Sequence, residues 1–441
     1  MLKTVQNFFK DNLVRLLQWE ARLVLKRYRP QIIGVTGNMG KTSTKEAIYD
    51  LLSPQFFIGK SPKSYNSEIG LSLAILGLEN AWGRPLDWLH NLVAGLGLAL
   101  LKHSYPKKLV LELGVDRPGD MARVVKWLKC DFAVLTSLPE LPVHIEFFNS
   151  VADLHKEKAL IFKSLKPGGT AILNADDPEV LALKKNLPKT ITYGFSSEAE
   201  VRANSWQIIY EEGKEKGATW RLPIGLSFKL ETRGSSVPVR IAGLVGKHQL
   251  YAPLAAAAVA LAHNIPLLEI AKKLETYAPP AGRLRLIKGK NNSLILDDSY
   301  NASPAATAEA LHTLHELGAT GGRRVAVLGD MLDLGGETIR AHREVGALAT
   351  RSVDYLITVG QRAKFIYAEA EKKRFGKRKL KHCDSREEAV TLLQTMIKPG
   401  DVVLIKGSQG ARLEKIVEQI MAEPARKQEL LPRQDPEWQK R

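Results

Sequence analysis

The chain has 441 residues, 44% of them hydrophobic and 25% charged, with 34 glycines and 22 prolines; this is an ordinary globular composition for two to four domains and excludes a disordered or collagenous chain. Lysine and arginine outnumber aspartate and glutamate by 64 to 47, a formal net charge of +17, which favours anionic ligands such as nucleotides, phosphorylated substrates or acidic lipid surfaces. No zinc finger or other nucleic-acid motif accompanies that charge, so nucleic acid is not expected as a partner.

Val5, Phe9, Leu13, Leu16, Leu17 and Val24 recur at helical spacing among Lys3, Lys10, Arg15, Arg22 and Lys26. This predicts a basic amphipathic helix over residues 1–30, ended by Pro30. Charged residues interrupt any apolar run of a secretory signal there. A short apolar strand at 32–35, a glycine-rich turn and a helix over 41–52 follow. Strand-like segments at 109–113, 132–136 and 170–173 alternate with helical stretches such as 150–165, the mark of an α/β domain with a mostly parallel sheet. The run 92–101 is apolar but far short of a bilayer span, so no transmembrane helix is expected. Cys130 and Cys383 form no disulfide framework or zinc cluster and read as core residues in a reducing compartment.

From about 198 to 245, short alternating segments at 206–210, 226–231 and 237–242 predict an antiparallel flap on the same domain. An alanine-rich helix at 253–262 closes it. The central domain is therefore placed at 31–280, with an insertion at 80–108. After Pro279-Pro280, strands near 293–297, 324–328, 354–359, 379–382 and 401–406 alternate with helices, which predicts a separate Rossmann-like domain at 281–422. Residues 423–441, with three prolines and many charges, read as a flexible tail.

Chemistry enters at Gly34-Val35-Thr36-Gly37-Asn38-Met39-Gly40-Lys41-Thr42-Ser43. Between a strand and a helix, the backbone of Gly37, Asn38, Met39 and Gly40 and the helix N-terminus can hold a triphosphate; Lys41 reaches the outer phosphates, and Thr42 with Ser43 offers hydroxyls for Mg²⁺ and phosphate. The usual loop has glycine where Val35 stands. The shifted spacing Gly-x-Thr-Gly-x-x-Gly-Lys-Thr resembles the ATP loop of the Mur ligases, which build the peptide stem of peptidoglycan. Asn66-Ser67-Glu68-Ile69-Gly70, Leu111-Glu112-Leu113-Gly114, Asp297-Asp298-Ser299-Tyr300-Asn301-Ala302-Ser303-Pro304, the segment 328–335 and Lys406-Gly407-Ser408 resemble the member that adds D-alanyl-D-alanine.

The resemblance covers roughly residues 31–422 and implies a central P-loop ATPase domain followed by a Rossmann-like domain. It implies an ATP- and Mg²⁺-dependent carboxylate–amine ligase working through an acyl phosphate, with a muramoyl-peptide-like acceptor and D-alanyl-D-alanine as partners. It further implies that Thr42 and Glu112 serve one metal and His144 another, and that Lys158 can be carbamylated into an acidic ligand. Arg283 and Asp298 would touch ATP from the second domain, with His248 near the adenine. Lys41, Lys158, His144 and Arg283 would carry catalysis. On the residues alone, Glu112 reads equally as an edge carboxylate, His144 as a loop histidine and Lys158 as a solvated helix lysine.

Asp330, Glu337, His342 and Lys406 lie on segments resembling the dipeptide-adding member, although His342 reads equally as a helix-face residue. Two departures limit the analogy. The family usually has asparagine where Ala252 stands, leaving Gln249 as a possible substitute. The sugar-nucleotide domain that precedes the loop in the family is expected to be missing, and the 80–108 insertion reads either as a helix covering the domain or as a membrane-docking helix. A monomeric cytoplasmic protein, peripheral at the inner face of the membrane in the second reading, is expected. The alternatives are a folylpolyglutamate-synthase-like ligase and a nucleotide-dependent membrane-binding protein that is not a ligase.

Overall fold

The computed structural model describes residues 2–62, 65–82, 84–142, 144–215, 218–317 and 321–440. The side chains of residues 1–11, among them Val5 and Phe9 of the expected amphipathic face, lie outside the described residues. The chain opens with helix α1 (Leu2–Tyr28), then β1 (Gln31–Thr36), α2 (Lys41–Leu52), β2 (Ile58–Lys60), α3 (Glu68–Leu76), α4 (Pro85–Leu100) and β3 (Lys108–Glu112). Strands β4 (Cys130–Leu135), β5 (Leu165–Asn174), β6 (Thr190–Gly194), β7 (Val201–Glu215), β8 (Ala218–Thr232) and β9 (Ser235–Ala242) complete a sheet of order β2-β3-β1-β4-β5-β6-β7-β8-β9. From β2 to β7 all neighbours are parallel, and β7-β8-β9 are antiparallel.

The inner strands of this sheet are nearly continuous apolar runs because helices cover both faces. Ile33, Val35, Val110, Val134 and Ile172 share one core with α2 and with the helix Tyr251–Ala262, while Leu109, Leu111 and Ala133 face the other way into a core with α1, α3 and α4. In the helix Tyr251–Ala262 every residue from Ala252 to Ala260 is buried. Small side chains there let the helix lie close on its neighbours.

The second sheet comprises β10 (Arg285–Lys288), β11 (Leu294–Asp298), β12 (Arg324–Gly329), β13 (Tyr355–Val359), β14 (Leu380–Cys383) and β15 (Val402–Lys406), in the order β10-β11-β15-β12-β13-β14. Only the β10-β11 pair is antiparallel. The two α/β bodies are those anticipated, and Cys130 and Cys383 are buried free thiols.

Two expectations need correction. The segment after 198 is antiparallel and on the same domain, as anticipated, but its strands are longer than the expected short segments, and β7 pairs in parallel with β6 at Tyr193↔Val201, so the hairpins extend the main sheet. The tail is docked rather than flexible, with Leu431 and Arg433 buried. Arg433 and Arg412 both pair with the buried Glu414, at 2.9 and 2.5 Å, and Arg412 also donates to the carbonyl of Trp438 at 3.0 Å. Two guanidiniums around one carboxylate offset the cost of burying all three charges.

Candidate active site

β1 delivers the phosphate loop. Gly37 has φ +143°, and a Cβ there would fall 2.0 Å from the Thr136 hydroxyl, so only glycine fits this turn. Gly40, at φ +79°, turns the chain into α2. The amides of Asn38 and Met39 are taken by Ser137, donating to its carbonyl and hydroxyl at 3.0 and 3.1 Å. The anion-binding end is therefore the first turn of α2, whose amides have no intrahelical acceptor. Among the described residues Asn38 Nδ2 is buried beside it without a partner, a donor that a phosphate oxygen would satisfy. Lys41 curls over the loop, donating to the carbonyls of Gly37 and Asn38 at 3.0 and 3.2 Å. Burial lowers its pKa, and nearby Glu112 opposes that shift.

On one side of the loop lies a cavity of about 530 Å³ lined by Lys41, Thr42, Asn66, Glu112, Asp116, His144, Lys158, Arg283, Tyr300 and Asp333. The register Val35↔Glu112 sets the Glu112 carboxylate beside the loop. It accepts from the Thr42 hydroxyl at 3.0 Å and from the Asn66 amide at 3.2 Å. His144, in left-handed backbone with φ 66°, donates its amide to the Asp333 carbonyl at 3.2 Å, and its Nε2 stands 3.4 Å from Asp116 Oδ1. Burial outweighs the neighbouring carboxylates and holds the imidazole below its ordinary pKa; a neutral ring is the form that ligates metal. Lys158, on the helix Val151–Ala159, is 2% exposed with no hydrogen bond or ion pair among the described residues. Burial first, and the nearby Lys41 second, lower its pKa to about 7.

No group of three His, Cys, Asp or Glu side chains is preassembled as a metal site among the described residues. The donors present are the Thr42–Glu112 pair and the Asp116–His144 pair with Lys158 nearby. Such a sparse, oxygen-rich set fits Mg²⁺, which keeps waters and takes one or two carboxylates together with substrate phosphates.

On the other side of the loop a cavity of about 790 Å³ is lined by Asn38, Met39, Gly40, Ser43, Asp176, His248, Ala252, Arg283, Asp298 and Lys406. Asp298 accepts from the Lys406 ammonium at 2.6 Å and from the Leu284 amide at 3.2 Å. His248 Nδ1 lies 3.4 Å from the Thr313 hydroxyl. Gln249 lines this cavity beside Ala252, with its side-chain amide engaged within the protein. Its oxygen accepts from the Val245 amide and its nitrogen donates to the carbonyls of Arg283 and Leu284, so the side chain braces the junction between the domains. Arg283 reaches both cavities, its guanidinium 4.2 Å over the Tyr300 ring and 3.5 Å from the Thr42 hydroxyl.

The structure thus gathers the anticipated residues around one loop, except in the segment 328–335 and its neighbours. Asp330 accepts from the amides of Arg362 and Ala363, and the buried His342 accepts from the Met331 amide. Glu337 pairs with Arg340 at the surface. Asp330 and His342 hold backbone around the turn that places Asp333 at the cavity, and none of the three lines it. Sequence reasoning missed Asp116, Asp333, and the aromatic wall of Trp82, Trp88 and Trp438. Asp333 lies within the segment 328–335, whereas nothing local marks Trp438.

A phosphate-binding loop between two cavities, both completed by a second α/β domain, defines a P-loop enzyme that brings a nucleotide to a second substrate. The family profile of the Mur ligase middle domain matches residues 35–260, and that of the Mur ligase glutamate ligase domain matches residues 282–409. The chain belongs to the Mur ligase family, a family of ATP-dependent ligases. It is 28% identical over 416 residues to the UDP-N-acetylmuramoyl-tripeptide–D-alanyl-D-alanine ligase of Bacillus subtilis, covering 94% of this chain and 81% of that one. Among solved structures it resembles MurF from Acinetobacter baumannii, with TM-score 0.73 at 25% identity over 92% of this chain and 79% of that one. It also resembles MurF ligase from Thermotoga maritima in complex with ADP, with TM-score 0.70 at 26% identity over 93% and 82%.

Proposed function

We propose that this protein joins D-alanyl-D-alanine to the peptide carboxylate of a muramoyl-peptide acceptor in peptidoglycan precursor synthesis, at the expense of ATP. The observation that carries the reading is the phosphate loop standing between the two cavities, so that ATP in the larger one directs its γ-phosphate into the smaller one. The acceptor carboxylate oxygen takes the γ-phosphoryl group as ADP leaves. The dipeptide amine then attacks the acyl carbon, expelling phosphate and giving up a proton.

A carboxylate and a triphosphate repel one another, and the site answers with cations. Lys41 and Arg283 neutralise phosphate charge at the transfer point. Thr42 and Glu112, and His144 with Lys158, would hold Mg²⁺, which supplies Lewis-acid charge neutralisation. Lys158, unpaired and with a pKa near 7, is suited to react with CO₂, because only a neutral amine forms a carbamate. Asp298, held by Lys406, has lone pairs left to accept ribose hydroxyls, and His248 faces the base. The protein acts as a cytoplasmic monomer, with domains at 31–280 and 281–422.

The test is incubation with ATP, UDP-muramoyl-tripeptide and D-alanyl-D-alanine with mass detection of the product. Phosphate release should require both the carboxylate and the amine. Release with neither would make the protein a nucleotide switch, and turnover with a folate acceptor and glutamate would make it a folylpolyglutamate-type ligase.

A further inference from the structure

Helix α4 lies against α1 on one side and is open on the other. Its small residues Gly95 and Ala99, with Asn91, are buried. The opposite face exposes Leu86 (80%), Leu89 (59%), Val93 (64%), Leu96 (37%) and Leu100 (63%), and Leu101 continues it at 62%. Steps of three and four residues align these side chains in one stripe along about 20 Å of helix. No Asp, Glu, Lys or Arg occurs from Trp88 to Leu101. Alongside, α1 exposes Leu16 (48%) and Trp19 (51%). Surfaces of monomeric proteins rarely leave so continuous an apolar strip in water.

The charges around the strip say what covers it. From residue 12 onward the exposed charges of α1 are Arg15, Arg22, Lys26 and Arg27, all cations, and its one acid in that stretch, Glu20, is buried. Arg27 donates to the carbonyls of Ala99 and Leu100 at 3.2 and 3.1 Å, which puts its guanidinium at the C-terminal end of the stripe, and Lys102 follows exposed. The acid of α4, Asp87, is paired with Arg84. A second copy of the chain seated here would press these cations against its own. No helix among the described residues is long and apolar enough to cross a membrane.

We infer that α4 and α1 form a docking surface for a bilayer containing anionic lipid, with α4 lying in the plane of the interface, the stripe in the acyl boundary and the arginines and lysines at the headgroups. The inference goes beyond the ligase reading and does not depend on it, but the two meet in one element. Trp88 of α4 and Trp82 before it line the smaller cavity, so a docked protein holds the wall formed by these two rings close to the membrane surface.

The experiment is co-sedimentation of the full chain with phosphatidylcholine vesicles with and without phosphatidylglycerol. Binding to the anionic vesicles at low salt should fall at least about tenfold at salt concentrations that screen the headgroups, and binding to pure phosphatidylcholine should be weak. The double variant Leu89→Glu/Val93→Glu should lose at least about tenfold in partitioning, with unchanged melting temperature and solution turnover. Lys41→Ala, which stops the phosphate chemistry, should bind vesicles like the parent chain, so failure of the ligase reading and failure of docking are distinguishable. No sedimentation with anionic vesicles at low salt, undiminished binding by the double variant, or a dimer in light scattering that the double variant breaks would overturn the inference.

Discussion

The two halves of the catalytic cavity are built differently. The Thr42–Glu112 half is fixed by the sheet: neighbouring strands bring the loop and the carboxylate together, and hydrogen bonds from Thr42 and Asn66 hold the carboxylate in place. The His144–Lys158 half is fixed by a loop and a short helix, with His144 held through its backbone to Asp333 and Lys158 held by burial alone. One half is preorganised by strand register, and the other holds groups whose protonation states burial has unsettled. Electrostatic catalysis rewards the first, and reversible modification needs the second.

The sharpest way to break this comparison is at the element both halves share. Lys41→Ala should lower ATP-dependent phosphate release by about a thousandfold or more, with circular dichroism and melting temperature unchanged. Near-normal turnover in the folded variant rejects the loop assignment. On the preorganised side, Glu112→Gln should cost about a hundredfold and raise the Mg²⁺ concentration needed for half-maximal rate, with no rescue by added carboxylic acids.

On the other side, Lys158→Ala should lose about ten- to a hundredfold, and acetate should restore part of it by supplying an oxygen ligand in the vacated space. The parent chain should lose activity as pH falls through about 7, where the Lys158 amine takes up a proton and can no longer form a carbamate, and bicarbonate should recover activity above that pH. Full activity of the alanine variant without bicarbonate makes Lys158 a bystander.

The smallest effect lies away from the site. Glu20 is buried against Gly95 with Oε2 unpaired, and burial raises its pKa to about 7. Because the folded form keeps this proton between pH 4.5 and 7 where the unfolded chain has lost it, stability falls as pH rises through that window. Glu20→Gln should therefore stabilise the fold by about 1–3 kcal/mol at pH 8, with the gain vanishing near pH 4 in paired thermal melts.

Much of this was legible from residue order. The strand–loop–helix around Gly37 and Lys41 is local, so spacing alone located it, whereas Glu112 read equally as an edge carboxylate and only the family resemblance marked it. The rest depended on distant partners. The antiparallel segments read as short because Gly213 and Pro223 interrupt the alternation that marks a strand, yet β7 and β8 run through with register shifts at Asn204/Gln207 and Ile209/Tyr210. The tail read as mobile because composition cannot show that Arg433 meets Glu414, 19 residues away. Asp330 and His342 lie on segments that resemble the dipeptide-adding member, but both are spent on backbone amides. Lys158 is an ordinary helix lysine in sequence, and only the packing around it distinguishes it.

The docked tail gives the molecule an internal optical reporter. Trp82 precedes α4 in the central domain and Trp438 lies in the short helix Pro436–Gln439, yet their rings meet edge to face at 6.4 Å, and Arg84 clasps Glu437 beside them at 2.6 Å. Any rotation that widens the cleft must separate this indole pair, so its quenching and near-ultraviolet dichroism would follow domain opening without an added dye. The same clasp makes this end of the chain a poor place for an affinity tag, which would hang beside the cavity wall that Trp82, Trp88 and Trp438 form.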